Sequence, residues 1–172
     1  MALTYSSYLK VEDLLSLQRP LSDGPDGPEH DETLFIIIHQ TYELWFKQIL
    51  HELDHACELL DQDRLAAAQH TLDRIRTILK TLVSQVDILE TMTPLEFLSF
   101  RDRLQRASGF QSSQFREVEF ALGLKNEAHL ERFPRDSDPR RRLEARLRAP
   151  SSASSRPRRW SISWRISLNQ SS

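Results

Sequence analysis

The 172 residues can form one domain with its own core, and 39% hydrophobic with 28% charged residues is typical of a soluble globular protein. No window offers the roughly 20 apolar residues that a membrane helix needs, and the first residues, MALTYSSYLKVEDLL, lack the features of a secretory signal. A single cysteine, Cys57, excludes an internal disulfide framework and favours the cytoplasm, with no membrane partner.

Charge is unevenly distributed along the chain, although the net charge is only −2. Residues 1–134 hold 13 basic and 22 acidic side chains, whereas residues 135–172 hold 10 arginines and 3 acids. Such an asymmetry indicates a basic tail or two segments of different origin.

Apolar residues recur at helical spacing through the first half of the chain. This pattern predicts a short helix at residues 7–17, a turn-forming and mobile loop at 21–31, and long helices at 31–60 and 64–90. Asp31 is the predicted N-cap of the first long helix, whose first half is apolar on almost every side.

Three further helical segments are predicted downstream, and no pair of strands. Thr93 and Pro94 begin the helix PLEFLSFRDRL, and the loop ASGFQS follows, where backbone N–H groups could approach an anion. The next helix, QFREVEFALGL, ends at Gly123, and residues 126–150 read as charged helix around a proline-containing turn. The pattern therefore predicts an all-α fold.

Two pairs of an aromatic and a polar residue occur at i, i+4 spacing, which places each pair on one helix face: Phe35 with His39, and Phe97 with Arg101. An imidazole among aromatic rings can exchange a hydrogen bond with a ligand, and a guanidinium can bind a carboxylate. Structural alternatives stay open, because His39 could bond a carbonyl in the core. Arg101 could keep its charged head in water or pair with Asp102 or Glu96.

The letters HELDH, from His51 to His55, match the motif in which two helical histidines bind zinc and the glutamate acts as a base. No third ligand is evident, so we interpret the motif as helix surface. We interpret His30, His70 and His129 as solvated.

Four stretches in order resemble the tryptophan 2,3-dioxygenase family: LTYSSYLKVEDLLSLQ, HDETLFIIIHQTYELWFKQILHELD, ILETMTPLEFLSFRDRL and ASGFQSSQFRE. The match extends over residues 3–147. The resemblance implies a helical bundle of the haem-dependent indole dioxygenase type, which binds haem b and forms homotetramers. It also implies insertion of both atoms of O₂ across the indole C2–C3 bond of L-tryptophan. The product would be N-formyl-L-kynurenine, the first intermediate of tryptophan catabolism to kynurenine.

The resemblance also implies roles for single residues. His39 would be the catalytic distal histidine that hydrogen-bonds the indole N–H, and Arg101 would bind the tryptophan carboxylate. Phe97 would line the pocket at a position where the family often has tyrosine, and Ser108 with Gly109 would lie near a haem propionate. The other implied substrate-binding residues are Phe35, Ile36, Ile37 and Ile38, with Tyr5 and Tyr8 entering a neighbouring protomer's site.

The sequence departs from the family pattern at the iron site. The resemblance places the proximal haem-iron histidine in a C-terminal helical half, whereas no histidine follows His129, so no metal ligand is predicted here. Arg106 replaces a proline that usually precedes ASGFQS. The last 22 residues hold nine serines and no acid, so we expect an incomplete domain at 1–147 and a disordered or out-of-frame tail at 148–172. Such a truncated chain should be inactive or nearly so.

Two other functions stay open. The chain could be a non-catalytic helical oligomerisation module, in which the long helix and the N-terminal tyrosines form only an interface. Alternatively, the arginine-rich tail, with Trp160 and Trp164 among its arginines, could bind nucleic acid. Out-of-frame translation explains the tail more simply, so we expect no nucleic-acid partner.

Overall fold

The computed structural model describes residues 2–22, 24–25, 27–105 and 107–149, with the backbone alone at Phe110. Arg106 and the tail from residue 150 onwards lie outside the described residues. Within these described ranges, seven α-helices follow in order: α1 (Tyr5–Leu9), α2 (Val11–Leu15), α3 (His30–Asp61), α4 (Leu65–Leu89), α5 (Pro94–Arg101), α6 (Ser113–Ala121) and α7 (Asp138–Arg148). Short 3₁₀ turns occupy Asp102–Leu104, Gly109–Gln111 and Glu127–Arg132. The described residues contain no strand, only an isolated bridge between Gly24 and Gly27, so the predicted all-α fold is confirmed.

The chain divides into two compact units, and both long helices contribute residues to each. The first unit comprises residues 1–42 and 82–107. The second comprises residues 43–81 and 108–172, of which the structure describes those up to 149, including α6 and α7.

The N-terminal segment forms two helices, so the prediction of one helix at residues 7–17 is wrong. Lys10 adopts a left-handed conformation, with φ 54° and ψ 44°, and its N–H donates to the Ser6 carbonyl at the end of α1. The Lys10 carbonyl then accepts from Leu14 N–H at 2.9 Å and begins α2. Thr4 and Ser7 form a reciprocal capping box at the start of α1.

The two long helices lie within one residue of their predicted bounds. The predicted N-cap is wrong, because α3 already begins at His30 and Asp31 lies within its first turn beside Glu32. Carboxylates in that turn interact favourably with the partial positive charge of the helix N-terminus. His30 is therefore helical, although its side chain is exposed as expected.

The core of the first unit is small and centres on Phe100, which has no exposed surface. Ile38 of α3 and Leu82 of α4 are also buried, and the Tyr42 hydroxyl donates to the Leu82 carbonyl at 2.7 Å. Burial raises the pKa of Tyr42. The predicted start of α5 is confirmed, since Thr93 caps it in a box with Glu96 and proline is its first residue.

The core of the second unit is larger. Its buried apolar side chains include Ile49, Leu53, Ala56, Leu59, Ala68, Ile75, Ile78 and Val118, and a further cluster of Phe120, Leu130, Phe133 and Leu143 with Leu147 packed against it. Two arginines of α7 also pair with acids: Arg142 with Glu117 at 2.8 Å, and Arg146 with Asp54 through two hydrogen bonds. Ser112 caps α6, and Gly123 follows it with φ 100°, as predicted for a helix end.

None of the described helices combines the length and the apolarity that crossing a membrane requires.

Candidate functional site

A buried carboxylate anchors the chain in front of α3. Glu32 is 1% exposed and accepts hydrogen bonds from the Leu21 N–H at 2.8 Å, the Ser22 N–H at 2.9 Å and the Ser22 hydroxyl. Burial alone would raise the pKa of Glu32, but these bonds together with the charge of Arg103 lower it below its ordinary value of 4.5. The loop that the sequence suggested to be mobile is therefore tied to the helix at Ser22.

Two turns further along α3, a backbone hydrogen bond fixes His39. Its Nδ1 lies 2.7 Å from the carbonyl oxygen of Phe35, and the two rings stack at 4.1 Å between centroids with a tilt of 37°. Because a carbonyl oxygen can only accept, Nδ1 must carry the proton in the neutral ring. The Nε2 lone pair is then left to accept a hydrogen bond from a ligand.

Three phenylalanines surround this face of α3. The ring centroid of Phe35 lies 5.8 Å from that of Phe97 and 5.6 Å from that of Phe100. The rings of Phe97 and Phe100 meet edge to face, with 5.5 Å between their centroids. Such tilted and perpendicular arrangements are favoured by the ring quadrupoles. The i, i+4 pairs predicted from the sequence thus meet in one cluster within the first unit, in which Phe35 and Phe97 are only half-buried.

Arg101 ends α5 beside the cluster and is half-buried. Its guanidinium carbon lies 5.9 Å from the centre of the Phe97 ring, and Nη1 donates to the carbonyl of Gln105 at 3.1 Å. The alternative partner Glu96 instead accepts from the Thr93 N–H at 2.7 Å, which lowers the pKa of that carboxyl. The guanidinium has further N–H donors with which it could bind a carboxylate.

The remaining substrate-lining positions differ in exposure. Ile38 is 6% exposed, Ile36 is half-buried and Ile37 is 45% exposed, as expected when a helix rotates about 100° per residue. The three side chains cannot line one surface together, and which of them meets a substrate stays a prediction. Tyr5 and Tyr8 of α1 are 77% and 69% exposed, and their entry into a neighbouring protomer also stays a prediction.

Ser108 and Gly109 belong to the second unit, whereas the aromatic cluster belongs to the first. Ser108 accepts from the Gln111 N–H at 2.9 Å through its carbonyl, and Gly109 begins the 3₁₀ turn. A Cβ at Gly109 would meet nothing within 4 Å, so that position is sterically open. Their predicted position near a haem propionate is untested.

The HELDH segment combines an exposed and a buried part. His51 and His55 are exposed, as the surface interpretation expects, but Glu52 is only 3% exposed. Glu52 accepts from Arg74 Nη1 at 2.9 Å and from the Gln48 amide at 2.7 Å. The glutamate is therefore an inward-facing structural anion, and no group of three potential ligands for a metal ion occurs in the described part of the chain.

The structural roles of Glu32 and Gln105 in the first unit were not predicted from the sequence, and neither was the burial of Glu52 in the second unit. A signal existed for Glu52, because it shares the helical phase of the buried Ile49 and Ala56. No local pattern identifies the partners of Glu32 or the carbonyl of Gln105, since both depend on how separate segments meet.

The described residues fit the substrate-binding part of a haem dioxygenase site better than the part that binds the haem iron. The phenylalanine cluster suits an indole ring, and the His39 Nε2 suits its N–H. The other histidines are exposed on helices or, for His129, lie half-buried on a 3₁₀ turn of the second unit. None of them forms a dry axial-ligand site for haem iron.

Comparison with known proteins gives a consistent result. The family model for tryptophan 2,3-dioxygenase matches residues 1–156. The tryptophan 2,3-dioxygenase of Herpetosiphon aurantiacus is 59% identical over 150 residues, which are 87% of this chain and 56% of that protein. Those of Anaeromyxobacter sp. strain K and Bacillus cereus are 53% and 48% identical, over 87% of this chain and 55% and 52% of their own lengths. The chain spans about half the length of these relatives, and it belongs to the tryptophan 2,3-dioxygenase family.

Proposed function

We propose that this chain forms the substrate-recognition part of a haem-dependent dioxygenase that cleaves the indole C2–C3 bond of L-tryptophan with O₂ and yields N-formyl-L-kynurenine. The observation that carries the proposal is the hydrogen bond from His39 Nδ1 to the Phe35 carbonyl. It leaves Nε2 as an acceptor, and the indole N–H is the donor that distinguishes tryptophan from the other apolar amino acids.

Each residue of the cluster then has a separate role. Phe35 and Phe97 provide aromatic surface for the indole, with the buried Phe100 packed against them, and His39 accepts the indole N–H, which fixes the ring's orientation. Arg101 binds the carboxylate, so the amino-acid end is held as well. Holding both ends lowers the entropic cost of reaching the reactive geometry. Haem, when bound, supplies the O₂ chemistry.

Substrate recognition, and not iron ligation, is the role we assign to these 172 residues. Ser108 and Gly109 would contact a haem propionate, but the family's axial histidine has no counterpart among the chain's six histidines. Turnover by this chain alone should therefore be absent or slight. Haem titrated into it should keep the absorption spectrum of free haem, whereas a saturable Soret band shifted by L-tryptophan would mean that another residue binds the iron.

The exposed N-terminal residues support a homotetramer as part of the proposal. Besides Tyr5 and Tyr8, the segment before α3 exposes Leu3, Leu9, Leu14, Leu15, Leu17 and Leu21. Exposed apolar side chains concentrated in one segment favour an interaction surface. The cytoplasm remains the proposed compartment, because the single cysteine cannot form a disulfide within the chain.

Equilibrium dialysis of the chain against L-tryptophan, with and without haem, tests the proposal. Arg101→Ala should weaken binding of L-tryptophan roughly tenfold or more and leave tryptamine, which lacks the carboxylate, unchanged. His39→Ala should remove the preference for L-tryptophan over its benzothiophene analogue, in which sulfur replaces the indole N–H. Arg64→Ala, which removes an exposed arginine of the second unit, is the matched control. Equal binding of L-tryptophan and tryptamine by the unmodified chain would contradict the proposal.

A further inference from the structure

Gln105 has a backbone conformation that a residue with a side chain rarely adopts. Its φ is 50° and its ψ is −112°, outside the left-handed helical region. Glycine reaches this mirror-image region readily, whereas a Cβ makes it costly. Lys10 also has a positive φ, but its angles are the usual left-handed ones of a helix end.

Two backbone hydrogen bonds close the turn around Gln105, and the Gln105 carbonyl takes part in neither. The Gln105 N–H donates to the Asp102 carbonyl at 3.3 Å, and the Ala107 N–H donates to the Leu104 carbonyl at 2.8 Å. The Gln105 carbonyl instead accepts from Arg101 Nη1 at 3.1 Å. The strained angles thus coincide with a carbonyl that bonds the proposed carboxylate-binding arginine.

We propose that Gln105 is a positioning residue for Arg101, an inference that rests on the proposed function. Its strained carbonyl holds one N–H of the guanidinium while the Phe97 ring lies 5.9 Å away, and together they fix the direction in which Arg101 meets the carboxylate of an amino-acid substrate. An arginine near a helix end can also cap free carbonyls. Capping does not require a positive φ, and Gln105 lies beyond both α5 and the 3₁₀ turn that follows it.

Substitutions at residue 105 can change the backbone angles while leaving Arg101 in place. Gln105→Gly permits the observed angles and should keep the selectivity for L-tryptophan over tryptamine within about twofold. Gln105→Val opposes a positive φ most strongly, because β-branched side chains are genuine outliers there. It should turn the carbonyl away and reduce the selectivity about tenfold, through weaker binding of L-tryptophan alone. Gln105→Ala should fall between the two and serves if the valine variant does not fold.

The affinity ratio in equilibrium dialysis separates positioning from general damage, because a structural defect would weaken binding of both ligands equally. If Arg101→Ala loses the selectivity while both Gln105→Val and Gln105→Ala retain it, the positioning role is overturned and the proposed function stands. If the unmodified chain binds L-tryptophan no more tightly than tryptamine, the proposed function fails and this inference fails with it. Circular dichroism of each variant identifies those that are folded.

Discussion

Replacing Glu32 by glutamine should destabilise the first unit by about 2–4 kcal/mol at neutral pH. The carboxylate accepts three hydrogen bonds, from the Leu21 N–H, the Ser22 N–H and the Ser22 hydroxyl. An amide keeps only one oxygen, and its NH₂ group would face a donor. Each lost charge-assisted bond contributes roughly 1.5–3 kcal/mol, and water at the exposed Leu21 offsets part of the loss.

The effect of this substitution should depend on pH in one direction. The pKa of Glu32 in the folded chain lies below its ordinary value of 4.5, so its contribution to stability is fully present above that value. This contribution is lost as the pH falls through the pKa that the Glu32 carboxyl has in the folded state. The difference between wild type and Glu32→Gln should therefore be largest above the ordinary carboxyl pKa of 4.5 and shrink as the pH falls below it.

Urea unfolding followed by circular dichroism measures the stability difference, and amide exchange at Leu21 and Ser22 locates it. Glu29→Gln is the control, because Glu29 is exposed and its side chain accepts none of these bonds. It should change stability by less than about 0.5 kcal/mol. If Glu32→Gln is as stable as this control, or if the stability difference does not change with pH, the carboxylate of Glu32 does not stabilise the first unit in this way.

Three further sets of substitutions test an ion pair, the aromatic core and the turn between α1 and α2. Arg74→Met should lower the free energy of unfolding, measured with urea, by about 1–3 kcal/mol, a modest loss because Arg74 is half exposed. Replacing Glu52 by methionine as well should recover much of this loss. Phe100→Ala should cost about 3–5 kcal/mol, because the ring has no exposed surface, whereas Leu98→Ala, at an exposed position, should cost far less by the same measurement. Lys10→Gly should stabilise the turn between α1 and α2 by about 0.5–1 kcal/mol and slow amide exchange at the start of α2, whereas Lys10→Val should do the opposite.

The sequence predicted what depends on local periodicity. The bounds of α3 and α4 follow from apolar spacing, and the contact between Phe35 and His39 follows from four-residue spacing on one helix. The break at Lys10 was missed because no glycine or proline marks it; a lysine takes the left-handed angles instead.

The contacts between separate segments could not be predicted in the same way. Glu52 and Arg74 are 22 positions apart, and nothing in either helix alone indicates their pairing. Phe100 joins Phe35 only because α5 packs on α3, although both rings could be identified as apolar candidates. The direction of the Gln105 carbonyl depends on backbone angles that a glutamine does not suggest.

The tautomer of the His39 ring is the most direct test of whether His39 can accept the indole N–H. Nitrogen-15 NMR of the histidine side chains distinguishes the two tautomers of a neutral imidazole. We predict a protonated Nδ1 and an Nε2 without a proton in the free chain. We also predict that the Nε2 resonance shifts on adding L-tryptophan and not on adding the benzothiophene analogue. A protonated Nε2, or an Nε2 resonance that L-tryptophan leaves unchanged, would contradict the assignment of His39 as the acceptor of the indole N–H.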